Sequence, residues 1–451
     1  MIDPIRIYHD LLTDDLAAAS QERLDEQQRR RGLCFGDRPL CTVLRPRFLT
    51  VEQVRFLRSR VGVLLGAFDA IQRRAVADDD FRRQFRLTPD EETLFAIEPG
   101  FPCATPTARL DAFFTPDVHG GGQLQFTEYN AETPAAPAYS DELADAFSTL
   151  PIMAEFRRRY NTIAPPARPG VYHALVESFA PWRGRRERPR IGILDWSEVP
   201  TYSEFVLFRD YFRLQGLECV IADPREVEYR DGKLMAGDFH ITLIYKRVLI
   251  SELVERGGMD HAIIRAVRDG AVCMVNPFRC KALFKKASLA VLSDEANADL
   301  FSRAEQSAIA AHIPWTRNVE ERKTTMGDKT IDLVPFIHEN RDQLVLKPND
   351  DYGGKGIVLG WTVDDAAWSN AITAALKTPF IVQSRIALPS EPFPALVDGR
   401  VHIGDRLLDT APFVTMGEYV DGCLTRIATD PLLNVTAGGG STVPTFIIEA
   451  R

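Results

Sequence analysis

The sequence predicts an α+β protein built from several packed units, and three observations carry this expectation. With 451 residues, the chain is too long for one compact core. Between about 190 and 276, apolar strands alternate with segments of helix length, which is typical of βαβ units around a parallel sheet. The first 90 residues instead carry leucine, valine and alanine at spacings of three and four, which indicates helices.

The first half of the chain is expected to hold its elements in the following order. Helices cover 11–31 and 51–73, short strands run from about 93 to 131 with a glycine turn at 120–122, and a helix covers 140 to about 160. A proline-rich hinge at 165–170 then leads through one more helix to a basic linker at 183–188, which we expect to be solvated.

The second half begins with the predicted parallel strands, at 191–196, 219–222, 241–245 and 272–275. Thr201 and Glu204 have the spacing of a capping box for a helix over 205–214. A helix at 281–292 and strands at 344–346, 357–359 and 380–383 follow, and 401–448 alternates strand-like and turn-like residues. The first strand–helix turn contains no glycine, so the close backbone approach to a dinucleotide is missing and NAD binding is not expected.

Composition narrows the class of protein. The chain is 45% apolar and 26% charged, and its net charge of −9 disfavours nucleic acid as the main ligand. No apolar run approaches the ~20 residues that span a bilayer, and the N-terminus does not read as a signal peptide. Seven cysteines without a Cys-x-x-Cys pair favour reduced thiols over a disulfide framework or a zinc site. We therefore expect a cytoplasmic protein without a membrane segment.

One strand-like segment carries residues suited to a metal ion. Glu128 and Asn130 are two positions apart, so both side chains lie on the same face of a strand. A carboxylate beside an amide oxygen suits Mg²⁺ that carries nucleotide phosphates, and Asp111 can add a second carboxylate from the neighbouring strand. Arg109 shares the face of Asp111 and can hold a phosphoryl oxygen. The alternatives are a strand edge that opens a turn and an ordinary ion pair between Arg109 and Glu128.

A second segment, more than 200 residues later, carries residues suited to phosphate. Lys347 ends an apolar strand, and a buried lysine needs an anionic partner. Gly353, Gly354 and Gly356 then allow the backbone to fold over a ligand with its N–H groups exposed. No Gly-Lys-Ser/Thr opens a helix here, so this is not a Walker A loop. The alternative is a glycine hairpin with a surface lysine.

These residues together resemble the circularly permuted ATP-grasp family, notably the synthetase domain of glutathionylspermidine synthase. The resemblance covers roughly 95–140 and 190–445. Its motifs are an Arg-x-Asp strand, a Glu-x-Asn-x-Glu-x-Pro segment, a Lys-Pro strand and a Tyr-Gly-Gly-x-Gly loop, which stand here at 109–111, 128–134, 347–348 and 352–356.

The resemblance implies a role for each candidate residue. It implies Mg²⁺ ligands at Asp111, Glu128 and Asn130, contact of Arg109 with the transferring phosphoryl group, and contact of Lys347 with the ATP phosphates. Less firmly matched positions for ATP binding are Lys286 (or the neighbouring Lys285), Gln383 and Arg426, with the glycines 438–440 beyond.

The fold implied by the resemblance is a circularly permuted ATP-grasp fold with a βαβ pre-ATP-grasp-like domain. The expected units are an N-terminal helical region (1–90), a first ATP-grasp part with the Mg-binding strands (91–185), the α/β domain (186–300) and the remaining ATP-grasp part (301–451). The implied reaction joins a small-molecule or peptide carboxylate to an amine through an acyl phosphate, with ATP and Mg²⁺ as cofactors. Asp350 and Asp351 are candidate bases or plain loop acids. A kinase-like phosphotransferase and a catalytically silent nucleotide-binding or partner protein are the alternatives.

Overall fold

A computed structural model describes residues 3–117, 119–183, 187–432 and 440–451. The largest sheet, called the large sheet below, joins strands from both ends of this chain. Its order is Ser390–Val397, Arg400–Leu408, Tyr419–Ala428, Ala411–Thr415, Thr107–Pro116 and Gly122–Asn130, with Gly440–Val443 paired to Tyr419–Ala428. Neighbouring strands in it are antiparallel.

The predicted parallel sheet is confirmed. Its order is Cys273–Val275, Leu243–Lys246, Ile191–Leu194 and Cys219–Ala222, and every neighbouring pair is parallel. One face packs against helices Arg168–Arg183 and Tyr202–Leu214, and the other against Ile250–Gly257 and Ala262–Arg268. Burial of both faces explains why these strands read as continuous apolar runs.

A third unit, called the small sheet, is antiparallel. Its order is Thr316–Asn318, Phe380–Ser384, Leu344–Pro348 and Val358–Leu359. Helices Leu333–Glu339 and Asp365–Ala375 cover it around the buried Trp368. Minor sheets comprise Arg47–Thr50, Thr445–Ala450 and Tyr160–Ile163; Val227–Arg230, Lys233–Ala236 and Phe239–Ile241; Lys323–Met326 and Lys329–Asp332; and Cys34–Phe35 and Arg38–Pro39.

The predicted N-terminal helices are present. They are Pro4–Leu11, Asp14–Arg31 and Val51–Ala77, followed by Asp79–Arg82 and Pro89–Phe95. Thr50 and Gln53 form a capping box at the start of the long helix. This helix shares one core with the strands Thr107–Pro116 and Gly122–Asn130 and with the helix Arg303–His312. The N-terminal region therefore packs directly behind the sheet that carries the candidate metal residues.

Three sequence-based predictions of where helices and strands begin and end were wrong. Thr93 lies in the helix Pro89–Phe95, so the strands begin only at Thr107. The helix expected over 140–160 is two helices, Pro137–Ser148 and Pro151–Phe156, because a proline starts the second one. The helix expected over 281–292 is split into Lys281–Phe284 and Ala287–Ser293.

The predicted capping box at Thr201 and Glu204 does not form. The helix begins at Tyr202, and Thr201 lacks the extended backbone and the side-chain hydrogen bond of a capping residue. The buried carboxylate of Glu204 instead accepts hydrogen bonds from the backbone N–H groups of Ala136 and Ala138, at 3.1 Å each. Glu204 therefore makes a tertiary contact with another helix instead of capping its own helix.

Two observations concern the wider class of protein. No helix in the described ranges is both long and apolar enough to cross a bilayer. All seven cysteines are described, and none forms a disulfide. The predicted basic linker lies partly outside the described residues, at 184–186, as do Gly438 and Gly439 of the last glycine run.

Candidate active site

Four candidate side chains meet on two neighbouring strands of the large sheet. Arg109 is paired in register with Asn130, and Asp111 with Glu128. Because residues two apart share a face, all four side chains lie on the same side of the sheet. The pairing of these strands across the glycine turn, expected from the sequence, is thereby confirmed.

The other edge of this group comes from the C-terminal end of the chain. Strand Ala411–Thr415 pairs Phe413 with Arg109, and strand Tyr419–Ala428 follows it. From that strand, Arg426 Nη2 reaches Asp111 Oδ2 at 2.6 Å, and its Nε reaches Asp409 Oδ2 at 2.6 Å. Segments some 300 residues apart in the chain therefore build one cluster of charges.

Asp111 is the centre of this cluster. Arg109 binds it through two hydrogen bonds, Nε to Oδ1 at 2.6 Å and Nη2 to Oδ2 at 2.9 Å. Although burial opposes ionisation, Arg109 and then Arg426 hold the pKa of Asp111 at about 2. The ion pair of Arg109 is thus with Asp111 rather than with Glu128. Its remaining guanidinium nitrogen donates to the Ala135 carbonyl at 2.9 Å.

Two lysines face this cluster. Lys286 Nζ lies 3.0 Å from Glu128 Oε1, and Lys347 Nζ donates to Gln383 Oε1 at 2.7 Å. The pKa of Lys347 is lowered to about 8, chiefly by burial and also by Lys286, against the opposing influence of Glu128. Gln383 is itself held by the hydroxyl of Thr316, which accepts from its amide at 3.0 Å. Lys347 is therefore a partly buried cation without a carboxylate in hydrogen-bonding contact among the described residues.

The neighbouring Lys285 points elsewhere. Its Nζ lies 2.8 Å from Glu91 Oε2 and 2.8 Å from Asp350 Oδ2. The helix break explains the difference, because Lys285 is the cap that ends the first short helix and Lys286 is the cap that precedes the second. Of the two lysines that the sequence could not separate, Lys286 is the one that lines the central cavity.

Asp350 belongs to a buried ion network behind the site. Both of its oxygens accept from lysines, Lys281 at 2.7 Å and Lys285 at 2.8 Å. Lys281 also lies 3.1 Å from the fully buried Glu132, which Lys246 approaches at 3.4 Å. Neither Asp350 nor Asp351 lines the cavity, and this placement favours a loop acid over a base for Asp350.

The predicted glycine loop follows Asp350 in the chain. Gly353, Gly354 and Gly356 all have positive φ angles, of 65°, 75° and 69°. A Cβ at Gly356 would lie 2.7 Å from Cγ of Pro348, so the loop needs glycine there for space as well. The side chain of Tyr352 reaches across to the α/β unit, where its hydroxyl donates to Glu252 Oε1 at 3.2 Å.

The charged cluster and the start of the glycine loop surround one cavity of about 630 Å³. Every predicted site residue except Gly356 lines it: Arg109, Asp111, Glu128, Asn130, Lys286, Lys347, Gly353, Gly354, Gln383 and Arg426. Apolar side chains near Gln383, among them Val345, Leu359 and Ile386, form one end. Residues of the parallel sheet and of the N-terminal region form the other.

Sequence reasoning missed several lining residues. Asp195 follows strand Ile191–Leu194, and burial raises its pKa to about 6 although Arg247 opposes the shift. Its position at the carboxyl end of a parallel strand is a signal that could have found it. Asp409 is 2% exposed, and burial raises its pKa against the influence of Arg426. No local motif marks Asp409, which joins the site only through the sheet.

The donor groups fit a metal ion that carries phosphates. Asp111 accepts three hydrogen bonds, and an ionised carboxylate offers about four lone-pair positions, so one position is left for a cation. Glu128 faces the cavity, and the amide nitrogen of Asn130 is buried without a hydrogen-bond partner among the described residues. A half-turn of this amide presents its oxygen instead. In the described ranges, no cluster of three acidic, histidine or cysteine side chains is arranged for a metal.

Comparisons with known proteins give a likeness of fold. No protein-family model matches the chain, and no curated protein matches its sequence. Two solved structures match only with low TM-scores: a RimK domain ATP-grasp protein from Sphaerobacter thermophilus (TM-score 0.27, 16% identity, 56% of this chain and 89% of that one) and D-alanyl-alanine synthetase A from Vibrio cholerae (TM-score 0.25, 12% identity, 49% and 67%).

A third solved structure matches along nearly the whole chain. A glutathione synthetase-like effector from Globodera pallida, in its apo form, has a TM-score of 0.60 at 12% identity and covers 97% of this chain and 98% of its own. At this identity the likeness concerns the fold alone. The chain therefore shares its overall fold, from end to end, with a glutathione synthetase-like protein.

Proposed function

We propose that this chain is a circularly permuted ATP-grasp enzyme that ligates a carboxylate to an amine at the expense of ATP. One observation carries the proposal: four residues of the early motifs and two lysines of the late segments face one cavity. Strand Thr107–Pro116 lies beside strand Ala411–Thr415 in the large sheet, and this pairing of an early strand with a late one supports the permutation. The shared fold with the glutathione synthetase-like effector agrees with it.

The nucleotide would lie between the large and small sheets. Lys347 and Lys286 are placed to neutralise its phosphates, and Gly353 and Gly354 would cover them with backbone N–H groups. Anionic phosphate would give Lys347 the counter-charge that it lacks in the ligand-free protein. The apolar end of the cavity around Gln383 would take the base.

Mg²⁺ would be held by Asp111, Glu128 and Asn130 and would supply charge neutralisation for the bound phosphates. Glu128 pairs with Lys286 in the ligand-free site, so each has a partner of opposite charge before any ligand enters.

The reaction would proceed in two displacements. A carboxylate oxygen of the acid attacks the γ-phosphorus of ATP, the bond to the β-phosphate breaks, and ADP leaves. The amine nitrogen then attacks the acyl carbon, the bond to phosphate breaks, and the proton of the amine passes to the departing phosphate. Arg109 and Arg426 flank Asp111 and are placed to stabilise the charge that spreads over the transferring group.

Water must be kept from the acyl phosphate. The glycine loop is placed for this task, because its Tyr352 reaches Glu252 of the α/β unit and both residues line the cavity. Glu252 in turn accepts from the indole of Trp196 at 2.9 Å, which ties the loop to the α/β unit. In this proposal, residues 91–185 and 301–451 form the two parts of the ATP-grasp unit, 186–300 the preceding α/β domain, and 1–90 a supporting helical region.

The test is mass spectrometry of the products formed from Mg-ATP and a metabolite extract. We expect ADP, phosphate and a new amide from the native protein, and none from Glu128→Ala. The matched control is Glu22→Ala, which removes an exposed glutamate on the helix Asp14–Arg31, away from the cavity. This control should keep the native yield.

Two outcomes would contradict the proposal. An equal amide yield from Glu128→Ala and Glu22→Ala would overturn the metal assignment. A phosphorylated metabolite that accumulates with ADP, and is not consumed by any amine in the extract, would point to a kinase instead of a ligase.

A further inference from the structure

The N-terminal region contributes a wall of the cavity. Residues 33–41, which we call the hairpin segment, contain the paired strands Cys34–Phe35 and Arg38–Pro39. Of the described residues in this segment, Phe35 and Leu40 line the cavity. The side chain of Gln28 fixes its end, since it donates to the carbonyl of Cys41 at 3.0 Å and accepts from its N–H at 2.9 Å. The hairpin segment is therefore held in place by the helix Asp14–Arg31, which carries Gln28.

One edge of the hairpin segment adjoins the reacting centre through the large sheet. The carbonyl of Leu40 accepts from the backbone N–H of Thr442 at 2.8 Å, and Thr442 is the register partner of Arg426. Arg426 bonds directly to Asp111. Leu424 is two residues before Arg426 and shares its face of the strand, and it also lines the cavity. An apolar patch thus begins one strand away from the charges that handle phosphoryl transfer.

The other edge adjoins the same centre through the helices. The hydroxyl of Ser203 donates to the carbonyl of Cys34 at 3.0 Å and also bonds the hydroxyl of Tyr139. Tyr139 lies in the helix Pro137–Ser148, next to the Ala135 carbonyl that Arg109 binds. Tyr139 also lines the cavity with its hydroxyl already engaged, so its ring is what it offers to a ligand.

We propose that the hairpin segment forms the acid-binding pocket of this enzyme and that the acid carries an apolar group next to its carboxylate. This inference rests on the proposed function, which places the transferring phosphoryl group, and so the carboxylate that attacks it, beside Arg109 and Arg426. Phe35, Leu40, Leu424 and Tyr139 then surround the carbon skeleton of the acid, and the hairpin contributes no charged side chain to the described lining. Such a surface favours an aliphatic or aromatic group, because a second carboxylate placed against it would lose hydration without gaining a cation from the hairpin.

The test uses hydroxylamine in place of the unidentified amine. Its nitrogen attacks the acyl phosphate, phosphate leaves, and a hydroxamate forms that can be measured. The probes are 3-phenylpropionate and hexanoate as apolar acids, and succinate as the polar acid. For the native protein we expect kcat/KM with the apolar acids to exceed that with succinate by at least about 10-fold.

Variants locate the selectivity. Phe35→Ala should raise the KM for 3-phenylpropionate about 10- to 100-fold, while the Kd for ATP stays within about twofold. The control Phe56→Ala makes the same truncation at another partly buried phenylalanine, on the helix Val51–Ala77 and outside the cavity lining, and should leave both constants unchanged. Phe35→Leu should restore most of the selectivity, which a mere folding defect would not predict.

The outcomes separate this inference from the proposed function. Equal use of succinate and 3-phenylpropionate, or no selective effect of Phe35→Ala, overturns the apolar pocket while ATP-dependent ligation stands. The same holds if no apolar acid yields a hydroxamate although the metabolite extract yields an amide. If neither assay gives a product, both the pocket and the ligase activity are refuted.

Discussion

Replacing Lys347 by methionine is expected to stabilise the ligand-free protein while it weakens ATP binding. Burial holds the pKa of Lys347 at about 8, against a usual value near 10.5. The folded protein therefore binds this proton less tightly than the unfolded chain does. The resulting cost to folding is complete below pH 8 and disappears as the pH rises from 8 to about 10.5.

The magnitude follows from the shift. At pH 7 the cost is about 3 kcal/mol, and at pH 9.5 about 1 kcal/mol, at ~1.36 kcal/mol per pKa unit. Water in the cavity screens part of it, and the variant loses the hydrogen bond to Gln383, worth about 1 kcal/mol. We expect Lys347→Met to raise the free energy of unfolding by about 1–2 kcal/mol at pH 7 and to leave it unchanged or lower at pH 9.5.

The matched control is Lys285→Met. Lys285 is more deeply buried than Lys347, at 2% exposed, and it holds two carboxylates, Glu91 and Asp350, at 2.8 Å each. Removing it leaves buried anions with fewer partners, so the same substitution should lower the free energy of unfolding by about 3–5 kcal/mol. The two lysines are thus expected to respond with opposite signs, because Lys285 has its counter-ions in the protein and Lys347 has no carboxylate in direct contact.

The assay is urea denaturation of each protein at pH 7 and pH 9.5, with and without Mg-ATP. Saturating ATP should stabilise the native protein by RT ln(1 + [ATP]/Kd) and should have little effect on Lys347→Met. A loss of stability in Lys347→Met as large as that in Lys285→Met would refute the reasoning. So would a difference from the native protein that does not change with pH.

Three further predictions follow from named contacts. Asp195→Asn should raise the free energy of unfolding at pH 8 by up to about 3 kcal/mol and leave it unchanged near pH 3. The reason is that the raised pKa of about 6 costs stability only as the pH rises from about 4 through 6, and urea denaturation at both pH values checks this. Glu132→Gln should cost about 3–5 kcal/mol, measured the same way, because Lys281 and Lys246 lose their buried carboxylate; a cost under 1 kcal/mol would contradict the network. Arg109→Lys should lower kcat for hydroxamate formation about 10²- to 10³-fold with little change in the Kd for ATP measured by calorimetry, since lysine cannot hold Asp111 through two bonds; an unchanged kcat would exclude Arg109 from phosphoryl transfer.

The parts of the fold that follow local patterns were predictable from the sequence. The alternation of apolar strands and helices gave the parallel sheet, because burial on both faces makes strands read as apolar runs. The spacing of two between Glu128 and Asn130 predicted a shared face, and the glycine turn predicted the neighbouring strand with Asp111. Such patterns are short-range consequences of backbone geometry, and no knowledge of the tertiary structure is needed to use them.

The rest depended on contacts that no local pattern encodes. Glu204 had the spacing of a capping residue, yet its carboxylate accepts hydrogen bonds from backbone N–H groups at the start of a neighbouring helix. Lys285 and Lys286 were indistinguishable in sequence, and a break between two short helices sends them to different partners. Asp409 joins the site only because the large sheet brings strands from both ends of the chain together.

The charges of the cavity suggest how the ligand-free site stays folded. Each acidic candidate already has a cationic partner: Asp111 binds Arg109 and Arg426, and Glu128 binds Lys286. Buried charges that lacked such partners would cost several kcal/mol of folding free energy each. Among these candidates, the uncompensated desolvation cost falls on Lys347. Entry of a metal-bound triphosphate would allow an exchange, in which Glu128 turns to the cation and Lys286 to phosphate. Glu128 and Lys286 would each keep a partner of opposite charge in that exchange, and Lys347 would gain an anion in direct contact. In the proposed complex, the charge of Lys347 that destabilises the ligand-free protein would therefore contribute to the binding of ATP.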